Sequence, residues 1–219
     1  MYTKRQTIAK FWPVPRKGTK YLSTASHEKQ KAIPLVVLMR EALKLVKSKK
    51  ELKMILNNKG IEINNKVVKE PNFPVSLFDT VSMPSIKKYY QAVLVGKRFN
   101  LKEIDEKQSL LRTYKVINKK QISKDKEQIN LNSGKNILLG PKDKKIIVGS
   151  FVVLNTKENN IVKTIALDKG IEVLVISGRH IGKQGKIVEI TKQGQNNIVK
   201  ITLGKEEEIN VGIENLFAI

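Results

Sequence analysis

The residues of this chain best suited to chemistry stand in the stretch SGRHIGKQGK at 177–186. Gly178, Gly182 and Gly185 are interleaved there with Arg179, His180, Lys183 and Lys186, between the apolar, β-branched runs IEVLVI and KIVEI. Such a loop suits three tasks: cradling a nucleotide, coordinating a ligand, or pressing its backbone and bases against a polyanion. A P-loop needs GxxxxGK followed by Ser or Thr and then a helix. Here Gln184 follows Lys183 and the next element reads as a strand. A dinucleotide loop needs GxGxxG opening a helix, whereas these glycines are spaced four and three. Both nucleotide readings fail on context. What stays is a turn region where glycine lets backbone approach closely. Arg179, Lys183 and Lys186 are then placed to meet phosphate oxygens without reading bases. His180 has no carboxylate or nucleophile grouped with it and reads as a loop donor.

The rest of the chain offers little else for catalysis. It has no cysteine, hence no thiolate metal site or disulfide. Its other histidine, His27, is remote in sequence. Asp79, Asp105 and Asp125 stand without a supporting constellation. No cofactor, metal or catalytic residue is expected. Charge is the strong signal: 42 Lys and Arg oppose 20 Asp and Glu across 219 residues, a formal +22. A compact protein this basic repels itself unless a polyanion neutralises it. The excess is uneven. From Asp168 onward seven bases meet seven acids, so 35 bases against 13 acids carry the whole excess in residues 1–167. Apolar runs such as PLVVLM fall short of the ~20 residues of a membrane span, and MYTKRQTIAKFW lacks the apolar core of a secretory signal. A cytoplasmic protein without membrane or small-molecule partners is expected.

The elements that must position these groups form a predicted α+β chain. Residues 1–33 hold eight bases and one acid, Glu28, with no helical or strand period. They read as a basic extended arm that orders on its partner. Lys4, Arg5, Lys10, Arg16, Lys17 and Lys20 would meet phosphates there, and Trp12 would stack. From Pro34, the spacing of Leu35, Leu38, Met39, Ala42, Leu43 and Val46 predicts one helix, with Arg40, Lys44 and Lys47 on another face. Ser48 with Glu51 three residues on predicts the N-terminus of a second helix. Leu52, Ile55 and Leu56 are its buried stripe and Gly60 its stop. Lys49, Lys50 and Lys53 crowd its first turns against the helix dipole, which points to use elsewhere. IEINNKVV predicts a hairpin about Asn64 and Asn65, with Lys66 beside it, and FPVSLFDTVSM a turn and strand.

From 86 to 167 the chain reads as β-rich, with strands at YYQAVLV, RTYKVIN, KIIVGSFVVL and NIVKTIAL. KEIDEKQSLLR predicts a short helix, GPKDKK and TKENN predict turns, and 115–135 is weakly patterned. Residues 168–219 hold five short strands, IEVLVI, KIVEI, NIVKITL, EEEINV and ENLFAI, with turns at SGRHIG, KQGQN, LGKE and VGIE. Five strands in that length predict a small SH3-like barrel.

Residues 34–85 resemble the S-four RNA-binding domain, in the order helix, SKKELKMILNNKG, IEINNKV, FDTVSM. Asn65 replaces that domain's hairpin glycine and Phe78 stands before Asp79. VLVISGRHIGKQGKIVEI resembles the KOW motif of ribosomal proteins and transcription elongation factors. The ordered set, with KFWPVPRKGTKY, AIPLVVLMREALKLV and IENLFAI, resembles the small-subunit ribosomal protein S-four-e family of archaea and eukaryotes, in which Phe78 is expected. The chain lacks the long basic tail of eukaryotic members, which favours an archaeal source. The resemblance implies a structural constituent of the small ribosomal subunit. Its partners would be small-subunit ribosomal RNA and neighbouring ribosomal proteins. Two rival readings exist. S-four modules also occur in pseudouridine synthases and a tRNA synthetase, but no catalytic domain follows here. A transcription elongation or RNA-chaperone factor would use the near-neutral terminal unit against a protein.

Overall fold

The computed structural model describes residues 2–29, 31–123, 127–140, 146–193, 196–203 and 207–218. The chain divides into two compact units, Met1–Leu110 and Leu111–Ile219.

In the first unit β1 (Tyr2–Lys4) pairs antiparallel with β2 (Tyr21–Ser23), Lys4 opposite Tyr21. The segment expected to be an extended arm is thus closed at its base, and it has a core. Trp12 is 5% exposed, and Val14, Leu22 and Ala25 are buried with it. Large apolar groups here find partners within the chain itself, so burial needs no second molecule. The Phe99 N–H donates to the Phe11 carbonyl at 2.8 Å. His27 stands edge-on to Phe73, ring centres 5.8 Å apart.

The strand β3 (Ile33–Pro34) leads into α1 (Leu35–Val37), which widens into a π turn over Leu38–Ala42. The single helix expected to reach Val46 therefore ends early. Leu43 N–H bonds back to the Leu38 carbonyl, and Lys44 takes the left-handed conformation at φ 55°. Val46 is buried because the chain folds back, not because a helix continues. The second helix forms as expected: α2 (Lys49–Asn57) buries Leu52 and Leu56, and the Ser48 hydroxyl accepts from the Glu51 N–H at 3.3 Å. Its stop differs. Lys59 is the left-handed residue, at φ 54°. Gly60 is instead needed for close approach, since a Cβ there would stand 2.9 Å from Ile55 Cγ2 and 3.1 Å from the Ile55 carbonyl oxygen.

The hairpin β4 (Glu62–Ile63) and β5 (Lys66–Val67) turns through Asn64 and Asn65, both left-handed at φ 51° and 60°. Two successive positive φ values match the twist of the flanking strands. After β6 (Pro74–Val75), which pairs with β3, the chain passes Phe78 at φ 65° and enters β7 (Thr80–Met83). Asn64 fastens hairpin to strand. Its Nδ2 donates to Asp79 Oδ1 at 3.0 Å, and its Oδ1 accepts from the Thr80 N–H at 3.1 Å and the Thr80 hydroxyl at 3.3 Å. Asp79 Oδ2 accepts from the Ser76 N–H at 2.7 Å, and the Phe78 N–H donates to the Ala92 carbonyl at 2.8 Å. This network holds a phenylalanine where backbone sterics favour glycine. Asn64→Ala removes three bonds and leaves buried polar groups short of partners, so it should lower stability by about 2–3 kcal/mol. Urea unfolding of the whole chain checks this, with Asn65→Gly as the mild control.

The first sheet continues past residue 85. β8 (Lys88–Val95) pairs with β7, and β9 (Arg98–Ile104) pairs with β8, giving one antiparallel sheet in the order β5-β4-β7-β8-β9. Tyr90, Ala92, Leu94 and Phe99 are its inward, buried residues. Such pairing is non-local, and no local composition shift marks it. The expected short helix is reduced to α3 (Glu106–Ser109).

In the second unit β10 (Leu111–Gln121), β11 (Glu127–Leu131), β12 (Asn136–Leu139), β13 (Phe151–Asn155) and β14 (Ile161–Ile165) form a sheet in the order β12-β11-β10-β13-β14. Tyr114, Val116, Ile129, Leu131, Val152 and Leu154 make its core. Most of the described part of the weakly patterned lysine-rich stretch thus lies in two antiparallel strands, whose register shifts between Val116 and Asn118. The strand expected at KIIVGSFVVL begins only at Phe151, and residues 141–145 of the expected GPKDKK turn lie outside the described residues.

β15 (Glu172–Val175), β16 (Gln184–Gln193), β17 (Asn196–Leu203), β18 (Glu207–Gly212) and β19 (Leu216–Ala218) are the five terminal strands, ordered β18-β17-β16-β15-β19. All five match the sequence expectation. Residues 194–195 and 204–206, within the expected KQGQN and LGKE turns, lie outside the described residues. The two sheets of this unit touch. Phe151 stands 5.1 Å from Phe217, and Lys115 Nζ donates to the Ile213 carbonyl at 2.6 Å. Burial pushes the Lys115 ammonium below its ordinary pKa, with Glu214 opposing.

Candidate nucleic-acid interface

The basic groups sort into three environments, and the sorting decides what each can do. The first is the loop between β1 and β2. Arg5, half-buried, is tied down: Nε donates to the Thr19 carbonyl at 2.7 Å, Nη1 to the Pro15 carbonyl at 2.5 Å, and Nη2 to Thr19 Oγ1 at 3.1 Å. Lys4, Lys10, Arg16, Lys17 and Lys20 are exposed, and Lys20 Nζ lies 5.4 Å from the Tyr21 ring centre. Among the described residues none of these five has an ion-pair partner. Trp12, expected to stack on a base, is buried in the unit's own core. Tyr21 and Tyr2, 53% and 67% exposed, are aromatics facing solvent beside these bases.

The second environment is α2. Lys50 and Lys53 are exposed on one face with Met54, 68% exposed, one turn from Lys50. Lys49 is half-buried and Lys47 exposed just before the helix. The Lys47 N–H donates to Glu51 Oε2 at 2.8 Å, and this bond chiefly holds the Glu51 carboxyl below its ordinary pKa. Glu51 is thereby fixed to the backbone, and no ion pair takes up the neighbouring lysines among the described residues. Arg40, Lys44 and Lys47, expected on one helix face, do not share one, because the helix ends before Lys44. Arg40 instead pairs with Glu41 at 2.9 Å. Lys66 is exposed next to the asparagine turn.

The third is the glycine loop, between β15 and β16. Gly178 and Gly182 have φ of 96° and 83°, so two of its glycines serve left-handed turns. Gly185 serves close packing: a Cβ there would overlap the Thr202 carbonyl oxygen and lie 2.6 Å from Ile201 Cγ2. The bases are largely answered from within. Lys183 Nζ meets Glu207 Oε2 at 2.9 Å, and Lys186 meets Glu172 at 3.7 Å. The hydrogen bond and charge of Lys183, with a smaller contribution from His180, lower the Glu207 pKa. Arg179 is exposed without an ion-pair partner among the described residues, and the half-buried His180 accepts the Lys183 N–H through its carbonyl at 3.1 Å. Sequence spacing could not reveal these pairs, which join different strands.

Sequence reading also passed over exposed bases on β8 and β9. Arg98 and Lys102 alternate on one face of β9, and Lys88 and Lys97 are exposed nearby. The period-2 alternation of RFNLKEI was the available signal. Two clefts mark the first unit. The larger, about 450 Å³, includes Glu103, Asp105 and Glu106 in its lining, where Glu106 adds to the burial that raises the Tyr89 pKa. Its carboxylates repel phosphate. The smaller, about 340 Å³, is lined by Lys4, Arg5, Arg16, Lys17 and Lys20 with Gln6, Gly18 and Thr19. Among the described residues no group of acids or histidines is placed to hold a metal, and no helix is long and apolar enough to cross a membrane.

Comparison with known proteins agrees with this architecture. The S4 domain matches residues 33–81, Ribosomal family S4e matches 86–161, and the KOW motif matches 169–202. Small ribosomal subunit protein eS4 of Methanosphaera stadtmanae is 34% identical over 204 residues, covering 90% of this chain and 83% of that protein. The eS4 protein of Archaeoglobus fulgidus is 32% identical, covering 100% of this chain and 93% of the relative. That of Nanoarchaeum equitans is 32% identical, covering 94% and 91%. In fold, the crystal structure of 30S ribosomal protein S4e from Thermoplasma acidophilum superposes with a TM-score of 0.72 at 22% identity, covering 86% of this chain and 95% of that one. Three motifs in this order, and identities above 30% along nearly the whole chain, lead to one conclusion: the chain belongs to the small ribosomal subunit protein eS4 family.

Proposed function

We propose that this chain is a structural constituent of the small ribosomal subunit, held there by ribosomal RNA and supporting translation without catalysing a reaction. The family is one of ribosomal structural proteins, not a class of enzymes. The observation that carries the RNA reading is the segregation of charge. Unanswered cations gather on the loop between β1 and β2 and on α2, while glycine-loop lysines are met by Glu172 and Glu207. The first unit holds 23 Lys and Arg against 9 acids. Surface lysines brought together without acids repel one another, and a phosphate backbone offsets that cost while releasing its counterions.

Lys4, Lys10, Arg16, Lys17 and Lys20 meet RNA phosphates on one side. Lys47, Lys49, Lys50, Lys53 and Lys66 meet them on the module resembling the S-four domain, and Arg98 and Lys102 extend the charge along the added strands. Arg179 is the base of the glycine loop most available to RNA. The terminal strands, in their order about β15 and β16, serve as an SH3-like KOW barrel whose balanced charge suits a neighbouring protein. The setting is the cytoplasmic ribosome. Sedimentation of a native extract tests the reading. The chain should travel with the small subunit and stay on it through a moderate salt wash. Recovery in the soluble fraction before any wash would defeat it and favour a dissociable KOW-containing factor.

A further inference from the structure

We infer that the loop between β1 and β2 is a preformed pocket for a single RNA backbone phosphate, with Arg5 as its strut and Lys4, Arg16, Lys17 and Lys20 as the groups that meet the anion. The inference rests on the RNA-binding reading and deepens it. A disordered basic arm would gain its shape only on RNA. This loop already has one, because the Arg5 guanidinium spends three donors on the Pro15 and Thr19 oxygens while the Arg5 backbone N–H bonds the Lys20 carbonyl at 2.9 Å. The planar fork suits this task, since it reaches separate acceptors from one rigid group.

Gly18 shows how tightly the loop is drawn. Its φ is +143°, and a Cβ would stand 2.7 Å from Arg5 Nη2 and 2.9 Å from Cζ. The chain passes directly over the guanidinium, and only glycine fits. The β1–β2 pairing holds both ends, with Lys4 opposite Tyr21. The resulting cleft of about 340 Å³ is walled largely by the aliphatic stems of basic residues, with Gln6, Gly18 and Thr19, and no carboxylate is among its lining residues. That volume exceeds what a lone phosphate group needs and admits its adjoining riboses. Cations held this close before binding raise the local potential and cut the ordering cost of association.

Backbone amide NMR on the full chain tests the pocket, with inorganic phosphate against chloride at matched ionic strength, and then with a small-subunit rRNA fragment. Phosphate should move the amides of Lys17, Gly18, Thr19 and Lys20 saturably, and leave those of α2 in place. Lys17→Ala should abolish those shifts and reduce the salt slope of RNA binding by about one. Arg5→Lys keeps the charge but loses the fork. It should weaken RNA binding roughly 10-fold with the salt slope unchanged, a split that loss of charge does not produce. The amide spectrum of each variant reports whether the rest of the unit stays folded. Equal phosphate shifts on α2, or RNA binding unaltered by both substitutions, would overturn the pocket while leaving RNA binding intact. An absence of RNA binding by the unmodified chain would overturn the function reading itself.

Discussion

Binding of the purified chain to its rRNA segment should weaken about 10³–10⁵-fold between 50 and 200 mM salt, the fall expected when ~6–10 phosphates are neutralised. Replacing Lys49, Lys50 and Lys53 together by alanine should cut the salt slope by about 2–3 and the affinity on the order of 100-fold near 0.15 M salt. The triple variant is a clean test because the three lysines oppose the α2 dipole at its N-terminus. Alanine removes that conflict and favours the helix, so folding is expected to be preserved or strengthened while binding collapses. Leu52 and Leu56, which anchor the helix, are untouched. The paired substitution Lys183→Ala with Lys186→Ala should change affinity by less than about threefold, since both are already engaged by acids and exposed ion pairs are worth little either way. Filter binding over a salt series reads both. A slope below about two for the unmodified chain, or a larger loss from the glycine-loop pair than from the α2 triple, contradicts the assignment.

Gly185→Ala should be the most damaging single change in the glycine loop, although Gly185 is not its most unusual backbone. β16 is paired on both sides there, with Val173 opposite Gly185 and Thr202 opposite the adjacent Lys186. The new methyl would press into the Thr202 carbonyl and Ile201 Cγ2, and neither strand can retreat without breaking its ladder. Overpacking of this kind costs about 3 kcal/mol, a fall of roughly 10 °C or more in the melting temperature of a unit this size. Gly178→Ala meets no heavy atom within 4 Å. It bears only the left-handed penalty of about 1 kcal/mol. Calorimetry comparing the two separates close approach from backbone conformation. Equal losses would show that the turn, not the packing, demands glycine at 185.

These glycines illustrate what can be read from a linear chain. Ser48 with Glu51, the Asn64–Asn65 turn and the five terminal strands were all legible, because each signal lies within a few residues and local geometry suffices to satisfy it. The +22 charge and its confinement to residues 1–167 likewise point to a polyanion from composition alone. Lys44, Lys59 and Phe78 were not legible. Each adopts a positive φ without being glycine, and only surrounding hydrogen bonds and packing hold it there. The first helix was overestimated for that reason, its apolar spacing running on to a Val46 that a folded-back chain buries.

The sequence by itself determined the order of modules and the uneven distribution of this chain's own charge, since both follow from composition and short-range spacing. Tertiary structure alone decided which bases remain available. Lys183 meets Glu207 across 24 residues, Arg5 is consumed by carbonyls 10 and 14 residues away, and Trp12 is withdrawn into a core. It also assigned β8 and β9 to the first sheet. Each of these outcomes is a contact between distant segments, and such contacts are set by how the whole chain packs, which no window of neighbouring residues contains.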